Sequence, residues 1–384
     1  MLTSILATFT AVLSILLILP YLLYYRYLKH HLTHSHFDPK RLQREVKVSV
    51  LVCTLNEARS IEGKLKDILS QNIPLKQLDL LAVDGGSTDG TVEILKTMAD
   101  KLGSTLSMRV IAGGNFTGKA SQINEGFRAA KGDIVVTTDA DVRMHPEAIR
   151  ILVDSVLLEG VGAVCARQVL TNPHDSPATE TETTYRGFYE FLRVGESNLH
   201  STPIFHGGLS AFRREAFSKI GEDVNADDTQ LALAVIRKGF RAIYDPRSVF
   251  YTRSPSERRS SWRQRVRRGQ GIQRVFWRNR DMILTRRFGR FSFPIFAAEF
   301  YMHLISPFLF VATAVLLLTL FSQLPLLALI LAVLTCLGLV IQISSKRVSP
   351  VTLFASFALY QAALFWAAIL HLLGYDHRRW STRR

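Results

Sequence analysis

Cysteine is scarce in this sequence: Cys53, Cys165 and Cys336 are the only three in 384 residues. An odd, scattered set without metal-ligand spacing excludes a disulfide framework and a cysteine-held zinc. In their apolar contexts the three read as small buried hydrophobes. Acidic residues are also in deficit, 32 against 47 lysines and arginines, for a net charge of +15. That excess suits anionic lipid, phosphorylated ligands or nucleic acid. Nucleic acid is set aside as a partner, because the basic segments form no recognised binding module.

Charge is missing altogether from long stretches near the ends. Leu2 to Leu23 carries none and is long enough to cross a bilayer. It lacks a basic leader and a small-residue cleavage site before Tyr24-Tyr25-Arg26, so an uncleaved anchor is expected. Three further apolar stretches follow near the other end: Pro294 to Phe321, Leu324 to Ile343 and Pro350 to Leu373. Each is long enough to span, although Glu299 and His303 are unusual for hydrocarbon, and read as interfacial or facing a lipid-acceptor cavity. Basic residues crowd beside the first run (Arg26, Lys29, Lys40, Arg41, Arg44, Lys47), which the positive-inside rule places in the cytoplasm. Four crossings would then put the basic tail (Arg378, Arg379, Arg383, Arg384) outside, against that rule, unless one segment is re-entrant.

Between the runs lies a repeat of strand, polar turn and helix. Val48 to Thr54 is a buried strand by its β-branched content, ending at Leu55-Asn56-Glu57 before a helix from Ala58 to Leu69. Leu78 to Val83 ends in Asp84-Gly85-Gly86-Ser87-Thr88-Asp89, before a helix from Val92 to Lys101. Ser107 to Ile111 leads through a glycine-bearing turn to Lys119 and a helix from Ala120 to Ala130. The fourth strand, Gly132 to Thr138, ends in Asp139-Ala140-Asp141. A parallel sheet is implied, with every turn at its carboxyl edge, so Glu57, Asp84, Lys119, Asp139 and Asp141 converge. Two carboxylates at i and i+2 share one strand face, and as hard oxygen donors suit Mg²⁺ or Mn²⁺ with a polyphosphate completing the shell.

Farther on, Val161 to Val169 reads as a strand, with a polar loop (Thr171 to Thr179) and a helix (Thr181 to Asn198) behind it. Phe205-His206-Gly207-Gly208-Leu209 follows as a glycine-bearing strand and turn, where His206 reads as a packing residue before a general base. Asn225-Ala226-Asp227-Asp228 opens a helix running to Lys238, and two carboxylates there complement the helix dipole whatever else they do. From Arg253 to Arg287 arginines alternate with Trp262, Phe276, Trp277, Ile283 and Leu284, as in amphipathic helices lying on anionic membrane lipids.

Four motifs in order and spacing, Thr54-Leu-Asn-Glu57, Asp84-Gly-Gly-Ser-Thr-Asp-Gly-Thr91, Gly118-Lys119-Ala-Ser-Gln-Ile-Asn124 and Asp139-Ala-Asp141, resemble those of glycosyltransferase family 2. The resemblance implies an inverting, metal-dependent hexosyltransferase of GT-A fold: α/β, a mostly parallel mixed sheet between helices, here with transmembrane and interface helices added. It implies donor contacts from Thr54, Asn56, Glu57, Asp84, Lys119 and Asp139, with Asp139 and Asp141 on Mg²⁺ or Mn²⁺. Gly207 and Gly208 would receive the acceptor. The family's acidic pair, usually Glu-Asp, falls on Asp227 and Asp228, with Asp228 as the base that deprotonates the acceptor hydroxyl. Gln264-Arg265-Val266-Arg267-Arg268 is similar to the family's Gln-x-x-Arg-Trp segment, which assigns Gln264, Arg267 and Arg268 to the donor and Trp262 to the acceptor. Arginine stands at 268 where tryptophan is usual, which counts against a processive polymerase.

The expected partition is a transmembrane helix (residues 1–25), a cytoplasmic linker (26–46), a GT-A domain (47–252), interface helices (253–292), a membrane region of two to three spans (293–374) and a basic tail (375–384). The expected partners are a nucleotide-diphosphate sugar, a lipid or lipid-linked acceptor and membrane lipids, in an integral membrane protein with a cytoplasmic catalytic domain. The alternative within the family is a processive polysaccharide synthase. A nucleotidyltransferase would need an early glycine-rich phosphate loop, which is missing, and a non-catalytic scaffold would not need the full carboxylate set.

Overall fold

The computed structural model describes residues 1–32, 46–103, 106–114, 116–223, 225–341 and 350–375. Most of the expected linker, with its histidines His34 and His36, lies outside the described residues, as do Lys346, Arg347 and nearly all of the basic tail. The chain forms two compact units, one built from residues 35–171 and 196–253, the other from 1–34, 172–195 and 254–376.

The first unit is an eight-stranded sheet in the order β3-β2-β1-β4-β7-β6-β8-β5. Strands β1 (Val48–Thr54), β2 (Leu78–Asp84), β3 (Ser107–Ile111) and β4 (Ile134–Asp139) are mutually parallel neighbours. Helices α2 (Ile61–Leu69), α3 (Thr91–Leu102) and α4 (Lys119–Ala129) make the crossovers, so the turns gather at one edge as the repeat requires. All seven residues of β1 are buried, which is why that strand is a continuous apolar run. The register sets Thr54 beside Asp84 and Cys53 beside Asp139. Val50, Val52, Leu80, Ala82, Ile134 and Val136 join Ile61, Leu65 and Ile68 of α2 in the core.

The remaining strands make the sheet mixed. Strand β7 (Leu209–Arg213) runs antiparallel to β4 and to β6 (Val161–Leu170), and β8 (Arg241–Thr252) runs parallel to β6. The two-residue β5 (Arg143–Met144) pairs antiparallel with β8. Helix α5 (Ala148–Val156) packs on β6 and β8, and α7 (Asp227–Arg237) begins at the acidic pair. Helix α6 (Pro177–Leu199) starts four residues earlier than expected, with proline at its first position, where the missing N–H costs nothing.

The second unit holds apolar helices. Helix α1 (Leu2–His31), the helical stretch from Arg286 to Phe321 and the one from Val351 to Leu372 are long and apolar enough to cross a membrane. The middle stretch comprises 3₁₀ and π turns around the short α9 (Ala297–Phe300) and then α10 (Ser306–Phe321). Helix α11 (Pro325–Ile341) is shorter, and α12 (Pro350–Leu372) closes the described chain. Tyr21, Ser306 and Gln361 join α1, α10 and α12 by mutual hydrogen bonds of 3.0 to 3.2 Å. Glu299 and His303 are buried: His303 Nε2 lies 3.1 Å from the Tyr189 hydroxyl and its Nδ1 3.3 Å from a Glu299 carboxylate oxygen.

The basic segment is a single helix, α8 (Arg258–Arg278), followed by short turns. Its large side chains divide in a way the pattern alone does not foretell. Trp277 and Leu284 are exposed, whereas Phe276 and Arg265 are buried and Trp262 packs with Val266 against Ala363 and Ala367 of α12. Cys53 and Cys165 are buried as expected, while Cys336 on α11 is half-buried.

Candidate functional site

The sheet's carboxyl edge is organised from Asp84, which is almost wholly buried. Thr54 Oγ1 and Ser87 Oγ donate to its Oδ2 (2.9 and 2.5 Å), and the amides of Gly86 and Ser87 donate to its Oδ1 (2.9 and 2.8 Å). A carboxylate bonded by four donors stiffens the β2–α3 turn. That turn in turn holds the β1–α2 turn: Asn56 N donates to Ser87 Oγ (2.7 Å), Thr88 N to Asn56 Oδ1 (2.9 Å) and Glu57 N to Thr91 Oγ1 (2.8 Å). Asn56 takes a left-handed conformation at φ 56°, which asparagine tolerates better than most residues. Gln122, buried on α4, donates to Thr54 O at 2.8 Å and ties α4 to the same edge.

One strand over, Lys119 gathers the acidic residues. Its Nζ donates to Asp139 Oδ1 at 2.6 Å and lies 3.6 Å from Asp227 Oδ2. Gly207 sits above them, where a Cβ would stand 3.2 Å from Lys119 Nζ and 3.5 Å from Asp228 Oδ2. The resulting cleft is lined by Cys53, Lys119, Asp139, Gly207, Asp227 and Asp228 among others. Residues about 90 apart in sequence therefore share one site. Asn124 fixes the approach to α7 by bonding Ile220 N and O, each at 3.0 Å.

The electrostatics follow from crowding three carboxyls and one ammonium. Burial lowers the affinity of Lys119 for its proton, but Asp139 and Asp227 outweigh it and hold the ammonium well above the usual lysine range. Burial pushes Asp139 up, an effect that Lys119 only partly offsets and Asp141 reinforces. Asp228 is raised to about 6, by burial first and Asp227 second, against the opposing amide of Thr229.

The donor set also bears on a divalent cation. Among the described residues no three His, Cys, Asp or Glu side chains converge as a ready metal shell. Two hard carboxylates at i and i+2 leave most of an octahedron to diphosphate oxygens and water, which is the usual mode for Mg²⁺. The Lys119 ammonium on Asp139 demonstrates that positive charge is accommodated at this carboxylate. The residues fit such an ion as one shared with a diphosphate.

Residues 49–221 match the family model described as Glycosyl transferase family 2. A mannosyltransferase from Pyrobaculum calidifontis, PcManGT, solved in complex with GDP-Man and Mn²⁺, is 30% identical, with a TM-score of 0.79, and the alignment covers 97% of this chain and 100% of that one. This chain belongs to glycosyltransferase family 2. Its GT-A sheet is thus the expected one, extended by apolar helices that PcManGT matches along nearly the whole length. A probable glycosyltransferase of Bacillus subtilis, YdaM, is 27% identical over 68% of this chain, and the poly-β-1,6-N-acetyl-D-glucosamine synthase of Staphylococcus aureus is 22% identical over 66%. The match spans 66% and 60% of those two relatives' own lengths.

In this family 2 chain the first unit brings together Thr54, Asn56, Glu57 and Asp84 around the first two turns, and Lys119, Asp139, Asp227, Asp228 and Gly207 in the cleft. Gly208 is buried, and its Cβ position is filled by the Phe250 ring. His206 faces Phe250 edge-on, with ring centres 6.3 Å apart, as a packing residue does. Gln264, Arg267, Arg268 and Trp262 all belong to α8 of the second unit. There Arg268 pairs with Glu182 at 2.9 Å, and Glu182 also accepts from Arg186 (2.7 Å) and from the Tyr360 hydroxyl. Burial would raise Glu182, yet Arg186 and Arg268 hold it down at about 2. Sequence reasoning passed over Gln122 and Lys64. The signal for Lys64 was visible: it stands in the apolar stripe Ile61, Leu65, Ile68 of α2, where a lysine has no solvent to reach.

Proposed function

We propose that this protein is a membrane-embedded inverting glycosyltransferase that moves a sugar from a nucleotide-diphosphate donor to a lipid or lipid-linked acceptor at the cytoplasmic face. The observation that carries the reading is the cleft in which Lys119 joins Asp139 to Asp227 while Asp228 lies across Gly207. Asp228 removes the acceptor's hydroxyl proton as oxygen attacks the anomeric carbon, and a carboxyl raised to about 6 is a stronger base at neutral pH than an ordinary aspartate. Lys119 pairs with Asp139 and Asp227, and the charge of Asp227 helps to raise Asp228. Asp139 and Asp141 would hold Mg²⁺ or Mn²⁺, which when bound would neutralise charge on the departing diphosphate. Thr54, Asn56, Glu57 and Asp84 shape the nucleoside end. Gly207 leaves room beside Asp228 for the acceptor.

Three helices of membrane-crossing length and the excess of basic residues support the membrane setting. PcManGT's complex with GDP-Man and Mn²⁺ makes GDP-mannose the first donor to try and Mn²⁺ the first metal. The test is to incubate detergent-purified full chain with GDP-mannose and UDP-sugars, Mn²⁺ and lipid extract, and to measure released nucleoside diphosphate. Release that depends on lipid and stops in chelator is expected; release without lipid, or undiminished in chelator, overturns the acceptor or the metal assignment. The likeness to a poly-N-acetylglucosamine synthase favours a second reading, processive synthesis. It predicts a product ladder where the first reading predicts a single addition.

A further inference from the structure

The sheet unit contains a charged residue that the reaction above leaves unused. Lys64 on α2 is fully buried. Its ammonium donates to Thr138 Oγ1 at 3.2 Å and to Asp67 Oδ2 at 3.3 Å. The Thr138 hydroxyl donates onward to Gly208 O (3.0 Å), and the same carbonyl accepts from Asp139 N (3.2 Å). Asp67 Oδ2 also accepts from Met144 N at 3.0 Å. Helix α2 therefore grips the chain at residue 138 and again at residue 144, on either side of Asp139-Ala140-Asp141. The Arg143 guanidinium lies beside Gly63 of α2, where a Cβ would meet its far end.

Burying an ammonium is costly, and an apolar side chain of similar length would fill the stripe more cheaply. Burial brings Lys64 down to about 8, with Asp67 opposing. The cost is repaid by geometry that an apolar residue cannot supply, because only a donor can orient Thr138 and Asp67 together.

We infer that Lys64 and Asp67 are positioning residues that set the spacing of the Asp139 and Asp141 carboxylates and hence their affinity for a divalent cation. The inference rests on the metal reading proposed above. Groups one step behind the ligands typically change metal affinity by about 10- to 100-fold when removed.

The test uses full-length protein in detergent and follows Mn²⁺ binding by the electron paramagnetic resonance of free Mn²⁺, with GDP present. Lys64→Met is expected to weaken Mn²⁺ at least about 10-fold. Thr138→Val removes the hydroxyl at similar volume and is expected to weaken it too, with the double variant little worse than either single one, as for residues acting through one contact. Asp67→Asn keeps an acceptor for Met144 N but not the charge facing Lys64, and serves if Lys64→Met does not fold; it is expected to weaken Mn²⁺ several-fold. Unchanged Mn²⁺ affinity in a folded Lys64 or Asp67 variant, or fully additive losses, overturns the inference. Asp141→Ala is the control for the underlying reading: if it still binds Mn²⁺ normally, the metal assignment falls, and the inference with it.

Discussion

Asp228 is half-buried, beside a second carboxyl, and next to a glycine whose missing side chain leaves room above it. Those three circumstances define its expected behaviour. Asp228→Asn should lower kcat by about 10²- to 10⁴-fold, the range for loss of a general base, with nucleotide affinity kept, as read by kinetics beside nucleotide titration. Loss of nucleotide binding instead would assign Asp228 a structural role. The pH dependence follows with a definite sign. A base works deprotonated, so kcat/KM of the free enzyme should fall about tenfold per pH unit below about 6, where Asp228 takes up its proton. Burial is the larger cause of that raised value and Asp227 the next, so Asp227→Asn should move the acid limb to lower pH without removing it. A pH–rate profile of the two forms checks this, and an unmoved limb would detach it from the acidic pair.

Adjacent glycines on one turn separate activity from stability at the scale of elements. A methyl at Gly207 would point at Lys119 and Asp228, while one at Gly208 would meet the buried Phe250 ring of β8. Gly208→Ala should therefore destabilise by about 1–3 kcal/mol through overpacking, seen as a lower Tm, and Gly207→Ala should keep its Tm but lose activity. Legibility also divides by element. The parallel half of the sheet was readable because each strand is followed by its own crossover helix, a local pattern, so Glu57, Asp84 and Asp139 could be placed together in advance. Strand β8 was hidden: its Asp245-Pro246 interrupts the apolar run, and a register shift between Ala166 and Arg167 of the partner strand absorbs the proline where no ladder bond is needed. Arg268 illustrates the other limit. Its place in a motif spoke of diphosphate, but its contact with Glu182 depends on a helix 86 residues away, which no local pattern reports.

For the molecule as a whole, the number of crossings decides the charge conflict at the tail. Four crossings strand Arg378, Arg379, Arg383 and Arg384 on the far side of the membrane from the catalytic unit. Among the described residues three helices reach crossing length, and what the fourth apolar stretch does is decided by charge placement. If α11 enters and leaves on one side, the chain crosses three times and its four terminal arginines return to the compartment of the catalytic unit. That arrangement moves only Lys346 and Arg347 to the disfavoured side, so two misplaced charges replace four. A tag fused after Arg384 should then be protected from protease in right-side-out vesicles and cleaved in inverted ones, alongside a tag inserted in the catalytic unit. Cleavage of the terminal tag in right-side-out vesicles would instead require the stretch from Leu324 to Ile343 to span, as its length allows.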